Sequence, residues 1–154
     1  MATVMSNRYE KFGPKLIELG YDITPVHGKR PFITGWSKRP ESALDFKAHA
    51  DCNIGVLCGG EENIVAIDVD VTNPFCVMQI QALIEDCLGF APKRIGKKGF
   101  LMPFRCTEPV SKAATSVYEI DGDDCRIEIL AEGQQFVASR DSSRYAETLR
   151  MAER

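Results

Sequence analysis

Two apolar, β-branched runs in the middle of the chain constrain its fold most strongly. Residues 53–59 read Asn-Ile-Gly-Val-Leu-Cys-Gly, and residues 63–70 read Asn-Ile-Val-Ala-Ile-Asp-Val-Asp. Apolar runs of this length between turn residues are typical of buried central strands. With 154 residues, of which 44% are hydrophobic and 27% charged, the chain can cover such strands within a single domain, residues 1–154.

Short helices and strands are predicted on both sides of these two runs. Helices are predicted at residues 7–19, 41–50 and 74–88, and further strands at residues 23–27, 116–120, 126–130 and 135–139. Residues 94–105 are predicted to form either a pair of strands or one strand with a basic loop. Gly13 and Pro14 interrupt the first helical pattern, so that helix starts at the proline or is kinked there. Helices early and in the middle, followed by antiparallel strands, predict an α+β domain with a curved sheet.

Charge and composition exclude several classes of protein. The net charge of −3 and the pI of about 5.5 argue against a histone-like protein, but they leave room for a local basic groove. No run is long and apolar enough for a membrane span, and the first residues do not resemble a signal peptide. Six scattered cysteines are expected to be reduced core residues of a cytosolic protein, and two histidines make a zinc site improbable.

The second apolar run ends in an acidic pair, Asp68 and Asp70. Side chains two residues apart in a strand point to the same face of the sheet. Two close carboxylates repel each other unless a cation lies between them, and carboxylates are ligands that Mg²⁺ or Mn²⁺ prefers. The alternative is that Asp70 simply reaches solvent and Asp68 caps a turn.

A third acid, Glu128, lies in the middle of the predicted strand 126–130. The strand alternates, with Ile127 and Ile129 on one face and Glu128 on the other. If Glu128 lies opposite the aspartate pair, the three carboxylates complete a two-metal site for phosphoryl or nucleotidyl transfer. The alternative is a solvated glutamate on an outer face.

A basic, glycine-containing segment follows at residues 93–99, with sequence Lys-Arg-Ile-Gly-Lys-Lys-Gly. Glycines allow a ligand to approach the backbone, and the cations suit a triphosphate or a nucleic-acid backbone. Arg94 and Arg105 flank apolar residues, which argues against simple solvation of their side chains. The alternative is a solvated basic turn, and the same choice applies to a weaker candidate for phosphate contacts at residues 28–31.

Taken together, these stretches resemble the bifunctional DNA primase/polymerase (prim-pol) domain of phage and plasmid replication proteins, in the archaeo-eukaryotic primase superfamily. The resemblance extends from about residue 19 to residue 145. It rests on residues 25–31 with Gly35-Trp36, residues 53–56 with Gly59-Gly60, and residues 67–70, 94–97, 127–130 and 133–138.

The resemblance implies an α+β, archaeo-eukaryotic-primase-like core with an RRM-like mixed or antiparallel sheet flanked by helices. It implies template-dependent nucleotidyl transfer with Mg²⁺ or Mn²⁺, on single-stranded or primed DNA and nucleoside triphosphates, with a replicative helicase as a further partner. The location implied is the cytoplasm of a bacterial host. The implied catalytic and metal-binding acids are Asp68, Asp70 and Glu128, and the implied nucleotide-binding residues are Arg94, Gly96, Lys97, Lys98 and Arg105.

Two departures from the family pattern keep other functions open. Many members have a histidine in the basic motif, whereas no histidine follows His49 here. Close relatives also tend to have Gly, His and Pro where this chain has residues 139–145, Ser-Arg-Asp-Ser-Ser-Arg-Tyr. A relative that binds single-stranded DNA or nucleotides without catalysis is therefore the second hypothesis. A nucleotide-sugar transferase is the third, but it accounts for neither Glu128 nor the basic segment.

Overall fold

The structure is a computed structural model that describes residues 8–138. The departure at residues 139–145 and the end of the predicted strand 135–139 therefore lie outside the described residues. The helices are α1 (Arg8–Glu18) and α2 (Pro74–Leu88), and the strands are β1 (Ile23–His27), β2 (Arg30–Pro31), β3 (Asn53–Leu57), β4 (Ile64–Asp70), β5 (Arg94–Ile95), β6 (Phe100–Arg105), β7 (Ala113–Ala114), β8 (Tyr118–Ile120), β9 (Asp123–Leu130) and β10 (Gln135–Val137).

The strands form two sheets with antiparallel pairing. The first sheet has the order β10-β3-β1-β2, and the second has the order β5-β6-β4-β9-β7, with β8 paired to β9. The two apolar runs form β3 and β4, which are internal strands of different sheets. Because β4 has β6 on one side and β9 on the other, its backbone is held by two ladders of hydrogen bonds.

One apolar core joins α1, the first sheet and one face of the second sheet. Its buried residues include Tyr9 and Leu16 of α1, Val56 of β3 and Ala66 of β4. Of the two alternatives predicted for the first helix, a start at Pro14 is excluded, because α1 runs through the proline. Gly13 also lies within α1, where a side chain would press on the ring of Phe46, so packing against the core explains the glycine.

A second apolar core covers the other face of the second sheet. Val69 of β4, Met102 of β6 and Cys125 of β9 are buried there beneath Ile84 of α2. The helix begins as predicted, because the Asn73 side chain accepts a hydrogen bond from the backbone N–H of Cys76 at 3.0 Å. The second sheet is therefore closed by apolar packing on this face, and the polar residues of β4 and β9 lie on the opposite one.

The α+β prediction is confirmed, and two details differ from what the sequence predicted. The predicted helix 41–50 is only a 3-10 turn at Glu41–Leu44 followed by further turns. All six cysteines are unpaired thiols, but only Cys58 and Cys125 are buried, so the prediction of core cysteines holds for those two. Among the described helices, none combines the length and the hydropathy that crossing a membrane requires.

Candidate active site

The pairing of β4 with β9 brings the three predicted acids to one face of the second sheet. Asp68 lies directly opposite Glu128, and Asp70 lies two residues further along β4. Directly paired residues of antiparallel strands have Cβ atoms about 4.5–5.5 Å apart on the same face. The sequence prediction that Glu128 shares a face with the aspartate pair is therefore met by the register of the backbone.

Asp68 lies in a crowded acidic environment that raises its pKa. Burial raises the pKa of Asp68 above its ordinary value, and the charges of Asp70 and Glu128 raise it further, whereas Arg94 and Lys29 lower it. A carboxylate that is both partly buried and close to two other carboxylates is costly to ionise. A bound divalent cation would relieve this repulsion, so the donor set and its electrostatics fit a hard metal ion.

The side chains are not gathered around a common point. Glu128 forms an ion pair with Arg126, two residues away on the same face, at 3.4 Å. Within residues 8–138, no group of three or more His, Cys, Asp or Glu side chains is placed to hold a metal ion. Binding an ion with all three acids therefore requires Glu128 to exchange its contact with Arg126 for the ion, a change of rotamer on a fixed backbone.

A basic cleft opens beside these acids, between the two sheets. Its volume is about 570 Å³, within the range of small-molecule pockets. The cations among its lining residues are Lys29, Arg94 and Lys97, and the other lining residues are Gly28, Asn53, Ile95, Gly96, Val137 and Ala138. The register places Arg94, Leu101 and Asp68 in one row across three strands, so the Cα atoms of Arg94 and Asp68 are about 10 Å apart.

Arg94 is the cation best placed to receive a ligand in this cleft. Its Nε atom is buried and has no hydrogen-bond partner. A buried donor without a partner is destabilising, and an anionic oxygen in the cleft would satisfy it.

The loop between Gly96 and Gly99 is held tightly against the end of β4. Gly99 has φ +65°, and a Cβ at this position would overlap the backbone carbonyl of Val69. Lys98 is directed away from the cleft, because its Nζ donates to the backbone carbonyl of Asp124. Of the predicted nucleotide-binding residues in this segment, Arg94, Gly96 and Lys97 therefore line the cleft, and Lys98 is placed at the start of β9.

Arg105 lies at the other end of the same sheet. It is paired with Ile64, four residues and about 13 Å along β4 from Asp68. Its guanidinium contacts Glu62 at 3.5 Å, lies 4.8 Å from the ring centre of Tyr21 and donates to the backbone carbonyl of Leu19. Arg105 therefore joins the far end of the second sheet to the segment between α1 and β1, and we leave it out of the proposed binding site.

Lys29 lines the site but is not among the nucleotide-binding residues that the family resemblance implies. It lies in the turn between β1 and β2, lines the basic cleft and acts on the charge of Asp68 from the first sheet. The sequence signal was present, since residues 28–31 had the composition of a phosphate-binding loop. The packing of the two sheets brings this turn to the segment 94–97, and that packing could not be predicted from the sequence.

Comparison with known families identifies the family of the chain. The family model described as "Bifunctional DNA primase/polymerase, N-terminal" matches residues 14–148, a span that includes all three acids and the lining residues of the cleft. No curated protein matches the chain. Because the family model covers most of its length, the chain belongs to the Prim-Pol family of bifunctional DNA primase/polymerase N-terminal domains.

Proposed function

We propose that this domain is a template-dependent DNA primase/polymerase that transfers nucleotides from nucleoside triphosphates with the help of Mg²⁺ or Mn²⁺. The observation that supports the proposal most directly is the register of β4 and β9, which places Asp68 opposite Glu128 and next to the basic cleft. Membership in the Prim-Pol family supports the polymerase class. Single-stranded or primed DNA is the proposed template, and association with a replicative helicase remains a prediction.

In the proposed reaction, the oxygen of a primer 3′-hydroxyl, or of the first nucleotide's hydroxyl, attacks the α-phosphorus of the incoming triphosphate. The bond from the α-phosphorus to the bridging oxygen breaks, pyrophosphate leaves, and the hydroxyl loses its proton. A divalent cation, when bound, lowers the pKa of the attacking hydroxyl and neutralises charge on the phosphates.

The chain's own residues bind and orient the reactants in this proposal. Asp68, Asp70 and Glu128 supply the carboxylate oxygens that hold the cation. Arg94 and Lys97 hold the triphosphate from the second sheet, and Lys29 approaches it from the first. With no histidine after position 49, these three cations take the place of the histidine common in the family's basic motif.

The test is incorporation of labelled nucleotides on primed and unprimed single-stranded templates in Mg²⁺ or Mn²⁺. We expect Asp68→Asn and Asp70→Asn each to lower the rate by at least about 100-fold, the loss typical of removing one group that stabilises charge in the transition state. Asp86→Asn, at an exposed position on α2, is the matched control and should leave the rate unchanged. Unimpaired incorporation by Asp68→Asn would contradict the proposal.

The ion pair between Glu128 and Arg126 favours a second candidate, a relative that binds nucleic acid or nucleotides without catalysis. In that case Arg126 stays paired with Glu128, and Glu128 does not bind a cation. The same assay separates the two functions. A wild-type protein that binds triphosphate or single-stranded DNA without metal, and incorporates nothing on any template, is the binding module.

A further inference from the structure

Two stacked rings lie on the surface of the β1–β2 hairpin, next to the basic cleft. The ring centres of His27 and Phe32 are 4.0 Å apart, and the ring planes differ by 14°. Both side chains are exposed, Phe32 to 42%. His49 contacts Phe32 with a tilted ring at 5.6 Å, so the pair is supported from one side. The exposure of both side chains leaves part of the ring pair accessible to a ligand.

Cations flank this ring pair on the hairpin. The strand register places Arg30 directly opposite His27, and the turn between them is formed by Gly28 and Lys29. Directly paired residues lie on the same face of the sheet, so Arg30 is beside the rings. Lys29, on the turn, lines the basic cleft.

A small cavity beside His27 shares two lining residues with the basic cleft. It has a volume of about 260 Å³, and its lining residues include Arg8 and His27, together with Gly28 and Asn53, which also line the basic cleft. Arg8 donates to the Asn53 side chain at 2.9 Å, and Asn53 donates to the backbone carbonyl of Gly28 at 3.1 Å. The cavity is smaller than a typical pocket for a whole ligand of about 300–1,000 Å³, but it can accept part of one.

We propose that this hairpin surface, formed by His27, Lys29, Arg30 and Phe32, binds single-stranded nucleic acid. One unpaired base stacks on the His27–Phe32 ring pair, and Lys29 and Arg30 contact the adjoining phosphates. Stacking on exposed rings beside a cationic groove is how proteins hold single strands without reading their sequence. A free phosphate or a triphosphate alone would use the cations and leave the rings without a role.

The proposal rests on the proposed function only in taking the basic cleft as the place of the incoming nucleotide. The strand would leave that cleft over the hairpin, along the lining that the two cavities share. Binding of the strand itself requires neither a divalent cation nor a triphosphate. The two proposals can therefore fail separately.

The experiment measures fluorescence anisotropy of a labelled oligothymidylate of about 12 nucleotides, a length within the usual site size, with the full chain and without metal or triphosphate. We expect His27→Ala and Phe32→Leu each to weaken binding by about tenfold, because a stacked base loses its ring partner. His27→Phe should restore most of the affinity, since it keeps a flat ring. Phe90→Ala removes a ring that is 87% exposed after α2 and should change nothing.

Three results would overturn the inference. One is the absence of oligothymidylate binding by the wild type. Another is equal affinity of His27→Ala and Phe90→Ala. The last is equal affinity of the wild type for a duplex of the same length, because paired bases cannot stack on the hairpin. Asp68→Asn separates the proposals: it should keep oligothymidylate binding while losing incorporation, and loss of both activities together would argue against a binding surface distinct from the acids.

Discussion

Arg94 and Arg105 lie at opposite ends of one sheet and have opposite environments. Both residues flank apolar side chains in the sequence, and both were predicted to bind nucleotide. Arg105 is engaged by Glu62, Tyr21 and the backbone carbonyl of Leu19, whereas Arg94 has a buried Nε without a hydrogen-bond partner. The difference indicates that an arginine in this fold is available to a ligand only where the structure leaves its donors unmatched.

Two groups of charges differ in the same way, one around Arg39 and one lining the basic cleft. Arg39 is held by Asp22 at 2.5 Å and by Glu132 at 3.3 Å, and it links the first sheet to the turn after β9. In the described part of the chain, no ion pair within 4.0 Å joins Lys29, Arg94 or Lys97 to an acid. Arg39 is therefore matched by two acids, whereas the three cations of the basic cleft are not.

The largest expected effect in this comparison is on triphosphate affinity. Arg94→Ala should weaken binding of a nucleoside triphosphate by about tenfold to hundredfold, since hydrogen bonds to charged groups contribute about 1.5–3 kcal/mol. Arg105→Ala should leave that affinity unchanged and lower the free energy of unfolding by about 1 kcal/mol or less. Isothermal titration and urea unfolding measure the two quantities. If Arg105→Ala weakens binding as much as Arg94→Ala does, the two ends of the sheet are not functionally distinct.

An intermediate effect is expected on the melting temperature when Asp68, next to Asp70 and Glu128, loses its charge. The pKa of Asp68 is raised by burial and by the neighbouring carboxylates, so its contribution to stability is present below the ordinary carboxyl pKa and is lost as pH rises through the raised value. Asp68→Asn should therefore raise the melting temperature at neutral pH, and the gain should vanish in acid. Thermal unfolding across this pH range measures it, with Asp86→Asn as the control.

The same measurement tests whether the cluster binds a cation. Mn²⁺ at about ten times its dissociation constant should stabilise the wild type by about 1.4 kcal/mol. The stabilisation should be much smaller in Asp68→Asn, because one ligand and one negative charge are gone. Equal stabilisation of both proteins would place the metal somewhere else.

The smallest effect is expected on the free energy of unfolding when the ion pair between Arg39 and Glu132 is removed. The backbone N–H of Gly60 and the guanidinium of Arg39 lower the pKa of Glu132, so its contribution is present at neutral pH and is lost as pH falls through the lowered value. Glu132→Gln should lower the free energy of unfolding by less than about 1 kcal/mol at pH 7, as for other exposed ion pairs, and less still in acid. Glu61→Gln, at an exposed position, is the control in urea unfolding. A change in triphosphate affinity in Glu132→Gln would contradict the separation of the two charge groups.

The sequence predicted the parts of the site that depend on local patterns. The period of a strand placed Asp68 and Asp70 on one face, and alternation in β9 placed Glu128 opposite its apolar neighbours. Sequence patterns do not specify which strands pair or how two sheets pack. For that reason the sequence could not show that Lys29 lies beside Arg94 or that Arg105 lies at the other end of the sheet.

One local prediction failed and another held only in part. Pro14 was expected to start or kink the first helix, and α1 does not start there but continues through the proline, with the buried side chains of Tyr9 and Leu16 on either side of it. Residues 41–50 were expected to be helical, but only Glu41–Leu44 forms a 3-10 turn. Tertiary packing outweighs local propensity in short elements such as these.

The double ladder around β4 has a consequence for how this family can diverge. The separation between Asp68 and Glu128 is set by main-chain hydrogen bonding, which does not depend on the identity of the neighbouring side chains. Exchanges among aliphatic residues in either core can therefore accumulate without altering the distance between the two carboxylates. An insertion or deletion of one residue within β9 would turn Glu128 towards α2, so loss of activity should arise from changes of length far more readily than from changes of composition.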